Sequence, residues 1–124
     1  MSFDPADYFA SCEEKYHERL FTLHDFYINL SPGMSCKKRY GLPFYDYDDQ
    51  WMFYLTVVKE YKNTVITGFM YAPELSSDYE LEINDKKMVK HVLFPLEEEI
   101  NFEALQTICF EAIELAKIKK KAKS

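Results

Sequence analysis

The side chains that could do chemistry are few and scattered. Histidines stand at His17, His24 and His91, and cysteines at Cys12, Cys36 and Cys109. His17 and His24 are two helical turns apart, about 10 Å along an axis rising 1.5 Å per residue, too far to ligate one metal together. The cysteine count is odd and no pair has CxxC spacing, so neither a disulfide framework nor a zinc site is indicated. Cys12 and Cys109 fall on apolar helical stripes. Cys36 adjoins Lys37, Lys38 and Arg39, cations that would lower the pKa of an exposed thiol. Carboxylates gather at Asp4 with Asp7, at Asp46 with Asp48 and Asp49, and at Glu97–Glu99. Oxygen-rich clusters can bind hard cations, but none has EF-hand spacing, and solvated turns and helix caps account for all three. No GxGxxG, GxxxxGK[ST] or GxSxG appears. With no assembled nucleophile, base or metal set, the reading is a non-enzymatic protein with no cofactor and no metal site.

What the sequence does concentrate is aromatic surface. Tyr40 to Val58 reads YGLPFYDYDDQWMFYLTVV. In a strand, successive side chains point to opposite faces. Trp51, Phe53, Leu55 and Val57 would share one face, and Met52, Tyr54, Thr56 and Val58 the other, so a central strand covered on both sides is expected. Pro43 cannot donate a ladder hydrogen bond, which suggests an edge or strand-start segment for Phe44–Tyr47. Asp46 to Gln50 reads as an acidic hairpin turn. The candidate binding face comprises Tyr40, Pro43, Phe44, Tyr45, Trp51, Tyr54 and His91. Its membership depends on strand register, because a slip of one residue reverses the set.

The elements that must position this face follow in order. Asp4, Pro5 and Asp7 start a helix. Phe9, Cys12, Tyr16, Leu20, Leu23, Tyr27 and Leu30 continue it as one apolar stripe, so a single long helix over Pro5–Leu30 is expected, with room for a kink. Strands are expected over 35–40, 44–47, 51–58, 64–70, 79–83 and 88–94. Gly68 inside one of them marks a bulge or the close approach of another group. Ala72–Asp78 reads as a loop or one helical turn, and Asn84–Lys87 as a turn. Asn101 caps a last helix whose stripe is Phe102, Leu105, Ile108, Cys109, Ala112 and Leu115. Helix, about five strands and helix make an α+β two-layer sandwich, with both helices on one face of a mostly antiparallel sheet.

Bulk properties agree. The chain has 124 residues, 48% of them hydrophobic and 17% aromatic, enough for one domain with its own core. That domain is read as 1–117, followed by a basic tail over 118–124 carrying Lys119, Lys120, Lys121 and Lys123. The formal charge of −6 argues against a nucleic-acid partner. No apolar run approaches the ~18 residues of a membrane span, and no signal peptide is read at the start. Unpaired cysteines suit a reducing, cytoplasmic setting.

Several short motifs, in their order, resemble the YdhG-like family of small bacterial domains. They are Tyr40-Gly41-Leu42-Pro43-Phe44, the apolar strand Trp51–Val58, Gly68-Phe69, Leu75, the Lys87–His91 strand and Ile100-Asn101. The resemblance covers roughly residues 13 to 117. The aromatic face is read as binding a small molecule, another protein or a second copy of the chain, while the resemblance implies a frataxin-like α+β fold. It also implies an alternative, an iron-binding chaperone for iron–sulfur cluster assembly, which would use the acids of the first helix.

Overall fold

The computed structural model describes residues 3–70, 82–83 and 89–123. The loop expected over 72–78, the turn over 84–87, Leu75 and Met88 lie outside the described residues. Helices α1 (Pro5–Ser11) and α2 (His17–Ile28), joined by a 3-10 turn at Glu14–Tyr16, come first. Strands β1 (Met34–Arg39), β2 (Leu42–Tyr47), β3 (Gln50–Thr56), β4 (Thr64–Phe69), β5 (Glu82–Ile83) and β6 (Lys90–Pro95) follow, and α3 (Phe102–Lys123) closes the chain. The strands form one antiparallel sheet in the order β1-β2-β3-β4-β6-β5. The helices cover one face of it, in the expected α+β arrangement.

The core lies between the two layers. Phe9, Leu20, Leu23 and Tyr27 from the first helices and Leu105, Ile108 and Cys109 from α3 meet Tyr45, Phe53, Leu55, Val65, Phe69, Val92 and Phe94 of the sheet. Hydroxyls that enter this core find partners: Tyr27 Oη bonds Thr67 Oγ1 at 2.7 Å, and Tyr45 Oη bonds His24 Nδ1 at 2.8 Å. A buried hydroxyl without a partner would lose its hydration uncompensated, so these pairs are a condition of the packing.

The single helix expected over Pro5–Leu30 is broken. Asp4 caps α1 by accepting the Ala6 N–H at 2.9 Å, but Cys12 and Glu13 are extended and end it. The Cys12 carbonyl is taken up by His17 Nε2 at 2.9 Å. The break has a packing reason. Along one straight helix Phe9 and Phe21 would stand about 18 Å apart. Here α1 folds back, and their rings meet edge-on at 4.9 Å.

Two further differences concern the ends of elements. Of the two places expected for Pro43 the strand start holds and the edge does not: Pro43 is the second residue of β2, which lies inside the sheet between β1 and β3. Pro43 is tolerated near its start because Arg39 and Leu42 close the hairpin. The next pair, Lys38 with Pro43, then needs no bond from the proline nitrogen toward β1. At the other end, α3, capped by Asn101 Oδ1 accepting the Ala104 N–H, continues through Lys123. The lysines assigned to a tail thus lie on its last helical turns, where Lys120 pairs with Asp48 at 3.5 Å. Cations there oppose the negative end of the helix dipole.

Candidate functional site

Across the sheet face opposite the helices, four residues stand in one cross-strand row: Phe44, Tyr54, Gly68 and His91. Gly68 is what gives the row its shape. A Cβ added there would lie 2.5 Å from Tyr54 Cε1 and Oη, and closer still to Cζ. The missing side chain lets the Tyr54 ring lie across β4. Its hydroxyl thereby reaches His91 Nε2 on the next strand, at 3.0 Å. Burial pushes the Tyr54 pKa up, so the hydroxyl stays protonated in this pair.

On the other side of Phe44 the row ends in a charged clamp. Arg39 grips Asp46 with two parallel bonds, Nη1 to Oδ1 at 2.5 Å and Nη2 to Oδ2 at 2.7 Å. To do so the guanidinium crosses the Phe44 ring at 5.7 Å and the Trp51 ring at 5.6 Å. Trp51 stacks on Phe44 at 5.8 Å, and Phe44 meets Tyr54 at 5.2 Å. The Asp46 side chain has no exposed surface, and Lys37 joins it at 3.7 Å while holding Asp49 at 2.6 Å. Bidentate geometry and the flanking rings make this pair stronger than an exposed one.

Two tight turns aim these strands. Tyr40 and Gly41 both have positive φ, 54° and 76°, as do Asp48 and Asp49, 50° and 67°. Each pair joins its flanking strands with two residues in the backbone form that matches strand twist. Asp46 is therefore a buried strand residue and not part of the acidic turn, which consists of Asp48 and Asp49 alone.

The seven residues read from the sequence divide between the faces. Phe44, Trp51, Tyr54 and His91 come together opposite the helices. Tyr40 stands at the hairpin tip, 83% exposed, its ring 6.0 Å from that of Phe44. Tyr45 points the other way, buried against Tyr27 at 5.2 Å and Phe53 at 5.6 Å, and Pro43 shares its side of β2. The expected partition of β3 fails at one point. Tyr45 faces Phe53 and Asp46 faces Trp51, so Met52 is an extra residue, a bulge. It turns Trp51 away from Phe53 and onto the face of Tyr54, while Met52 joins the core.

Sequence reasoning missed Arg39 and Asp46. The signal was the two-residue Tyr40-Gly41 turn, which sets Arg39, Lys37, Phe44 and Asp46 on one face. Cys36 lies on the helix side beside Tyr45, and burial pushes its thiol pKa up to about 12. The lowering that Lys37, Lys38 and Arg39 would exert on an exposed thiol does not apply to this part-buried one. Among the described residues no three His, Cys, Asp or Glu side chains gather to hold a metal, and no helix is long and apolar enough to cross a membrane. Grooves of about 580, 530 and 460 Å³ lie away from the aromatic row, the first between α2 and the start of α3.

No family model and no curated protein matches the sequence. Among solved structures, the chain is similar to a protein of the DUF1801 family, YdhG from Bacillus subtilis. The TM-score is 0.67 with 13% sequence identity, over 90% of each chain. The chain thus has the fold of a YdhG-like protein.

Proposed function

We propose that this chain is a non-enzymatic YdhG-like binding protein that engages a ligand or protein partner on the sheet face opposite its helices. The observation that carries this reading is the row Phe44–Tyr54–Gly68–His91 with the Arg39–Asp46 clamp at its end. Phe44 is nearly buried beneath Arg39, Trp51 and Tyr54, and it is the part-exposed Trp51 and Tyr54 rings that can stack on a ligand, beside polar groups at fixed positions on a sheet. Tyr40 extends the face at the hairpin tip, and Tyr45 and Pro43 support it from the core side.

Trp51 is the sole tryptophan and stacks within the face, so its emission is a direct reporter. Titration with aromatic and anionic small molecules should shift its emission and reduce acrylamide quenching. Light scattering detects a second copy of the chain as the partner. A strict monomer whose Trp51 emission responds to none of the panel refutes the reading. The alternative, an iron-donor role, would rest on Asp4, Asp7, Glu13 and Glu14. Here Asp4 serves as a helix cap and Glu13 pairs with Lys15 at 3.6 Å. Anaerobic calorimetry with ferrous iron separates the two readings. Saturable micromolar heat abolished by Glu13→Gln/Glu14→Gln establishes the donor role, and no heat removes it.

A further inference from the structure

We propose that the outer edge of β1, ending in Tyr40, takes an extended acidic segment of a partner protein as an added strand. This inference concerns the rim of the sheet and stands whether or not the aromatic face binds anything.

Three observations converge on this edge. First, β1 is terminal in the sheet order and pairs only with β2 among the described residues. Arg39 and Leu42 flank a two-residue turn and exchange main-chain bonds, so Lys37 and Ser35 also bond inward. The N–H and C=O groups of Cys36 and Lys38 therefore point outward, spaced as a strand requires. An open ladder of this kind is a template for strand addition.

Second, Tyr40 sits at the end of that ladder in a conformation that L residues rarely adopt, φ 54°, at a turn position that favours Asn, Asp or Gly. Its ring is 83% exposed and meets the rest of the molecule in a ring contact with Phe44 at 6.0 Å. By contrast, Asp49 of the next turn is a residue type that accepts positive φ, and it has an internal partner in its 2.6 Å bond from Lys37. An exposed aromatic held at a strained tip is the form of a contact anchor.

Third, the edge keeps one cation that no carboxylate among the described residues engages. Lys37 and Arg39 are engaged by Asp49 and Asp46, which leaves Lys38 as the exposed charge on the outward-facing main-chain position. An acidic side chain on the incoming strand complements it. The same lysine disfavours registers that would bring a second β1 alongside with Lys38 facing Lys38.

The test uses the full chain and a fluorescein-labelled octapeptide of alternating Val and Glu, with a Val/Lys peptide as control. The Val/Glu peptide should bind at least tenfold more tightly by anisotropy. Amide exchange should slow at least tenfold at Cys36 and Lys38, with Lys37 and Arg39 unchanged. Lys38→Pro removes an outward N–H without touching the bonds to β2, and should abolish binding while the protein stays folded. Tyr40→Asn should weaken binding at least fivefold and raise the thermal midpoint, since Asn accepts the turn conformation. No anisotropy change at millimolar protein, or binding that leaves the Cys36 and Lys38 amides unprotected, overturns the proposal. So does a concentration-dependent dimer of the free chain that protects the same two amides, which would assign the edge to a second copy.

Discussion

Gly68→Ala is the most direct test of how the aromatic row is built. Glycine in a strand interior is ordinarily unfavourable by about 0.5–1 kcal/mol relative to alanine, so the substitution would normally stabilise β4. Here the new methyl would lie 2.5 Å from Tyr54 Cε1 and Oη, well inside contact distance. The ring must move off β4, and in moving it abandons the 3.0 Å bond to His91. Overpacking costs about 1–3 kcal/mol and the lost hydrogen bond about 1 kcal/mol. Net destabilisation should be about 2–3 kcal/mol, a fall in midpoint of roughly 10 °C for a chain of this size. Urea denaturation of four proteins checks the reasoning: wild type, Gly68→Ala, Tyr54→Ser and the double variant. With Tyr54 shortened, Gly68→Ala should become neutral or stabilising, giving a coupling of about 2 kcal/mol. If Gly68→Ala costs less than about 0.5 kcal/mol, or costs the same with and without the Tyr54 ring, the close-approach argument is wrong.

Three further outcomes follow from the same geometry. Asp46→Asn leaves the Arg39 guanidinium without its paired carboxylate. Because Arg39 is part-exposed and can rehydrate, the loss should be about 2 kcal/mol by urea denaturation, below that of a fully buried pair. His24, half-buried against Phe9 and Tyr45, has its pKa lowered, first by burial. The unfolded chain then binds the proton more readily, so stability contributed by neutral His24 is present above about pH 6.5 and declines as pH falls below it. His24→Gln should flatten the pH dependence of the urea midpoint between pH 7.5 and 5, and an unchanged slope would contradict this. With its thiol pKa at about 12, native Cys36 should react with iodoacetamide far more slowly at pH 8 than in urea. Equal rates, read by mass spectrometry of the Cys36 peptide, would show that the thiol is exposed.

Much of the architecture is local and was legible. The Asp4 and Asn101 caps, the apolar stripe of α3, the alternation of β1 and the apolar run of β4 are set by short-range rules of capping and periodicity. Those rules act within a few residues and need no partner. The order of helices and strands then leaves few ways to bury the apolar faces, so the α+β class follows as well. Gly68 was readable as a site of close approach, though not which group approaches.

Decisions that depend on contacts between distant residues were not legible. The apolar stripe runs unbroken from Phe9 to Leu30, yet the helix breaks at Cys12 and Glu13 because Phe9 gains more against Phe21 and His24 than from a continued helix. Alternation assigned Trp51 to the face of Phe53, and one bulged residue, Met52, moved it to the face of Tyr54. Tyr45 and Phe44 are adjacent and chemically alike, and only the placement of α2 decides which of them is core. Asp46 looks like a turn carboxylate until Arg39 is seen reaching over Phe44 to hold it. Local rules of capping and periodicity were enough to place most helices and strands, and to show that aromatic surface would be concentrated on them. The tertiary structure alone decided which rings meet, because bulges, helix breaks and ion pairs are settled by the packing energy of the whole sheet and its cover, and no window of neighbouring residues contains that information.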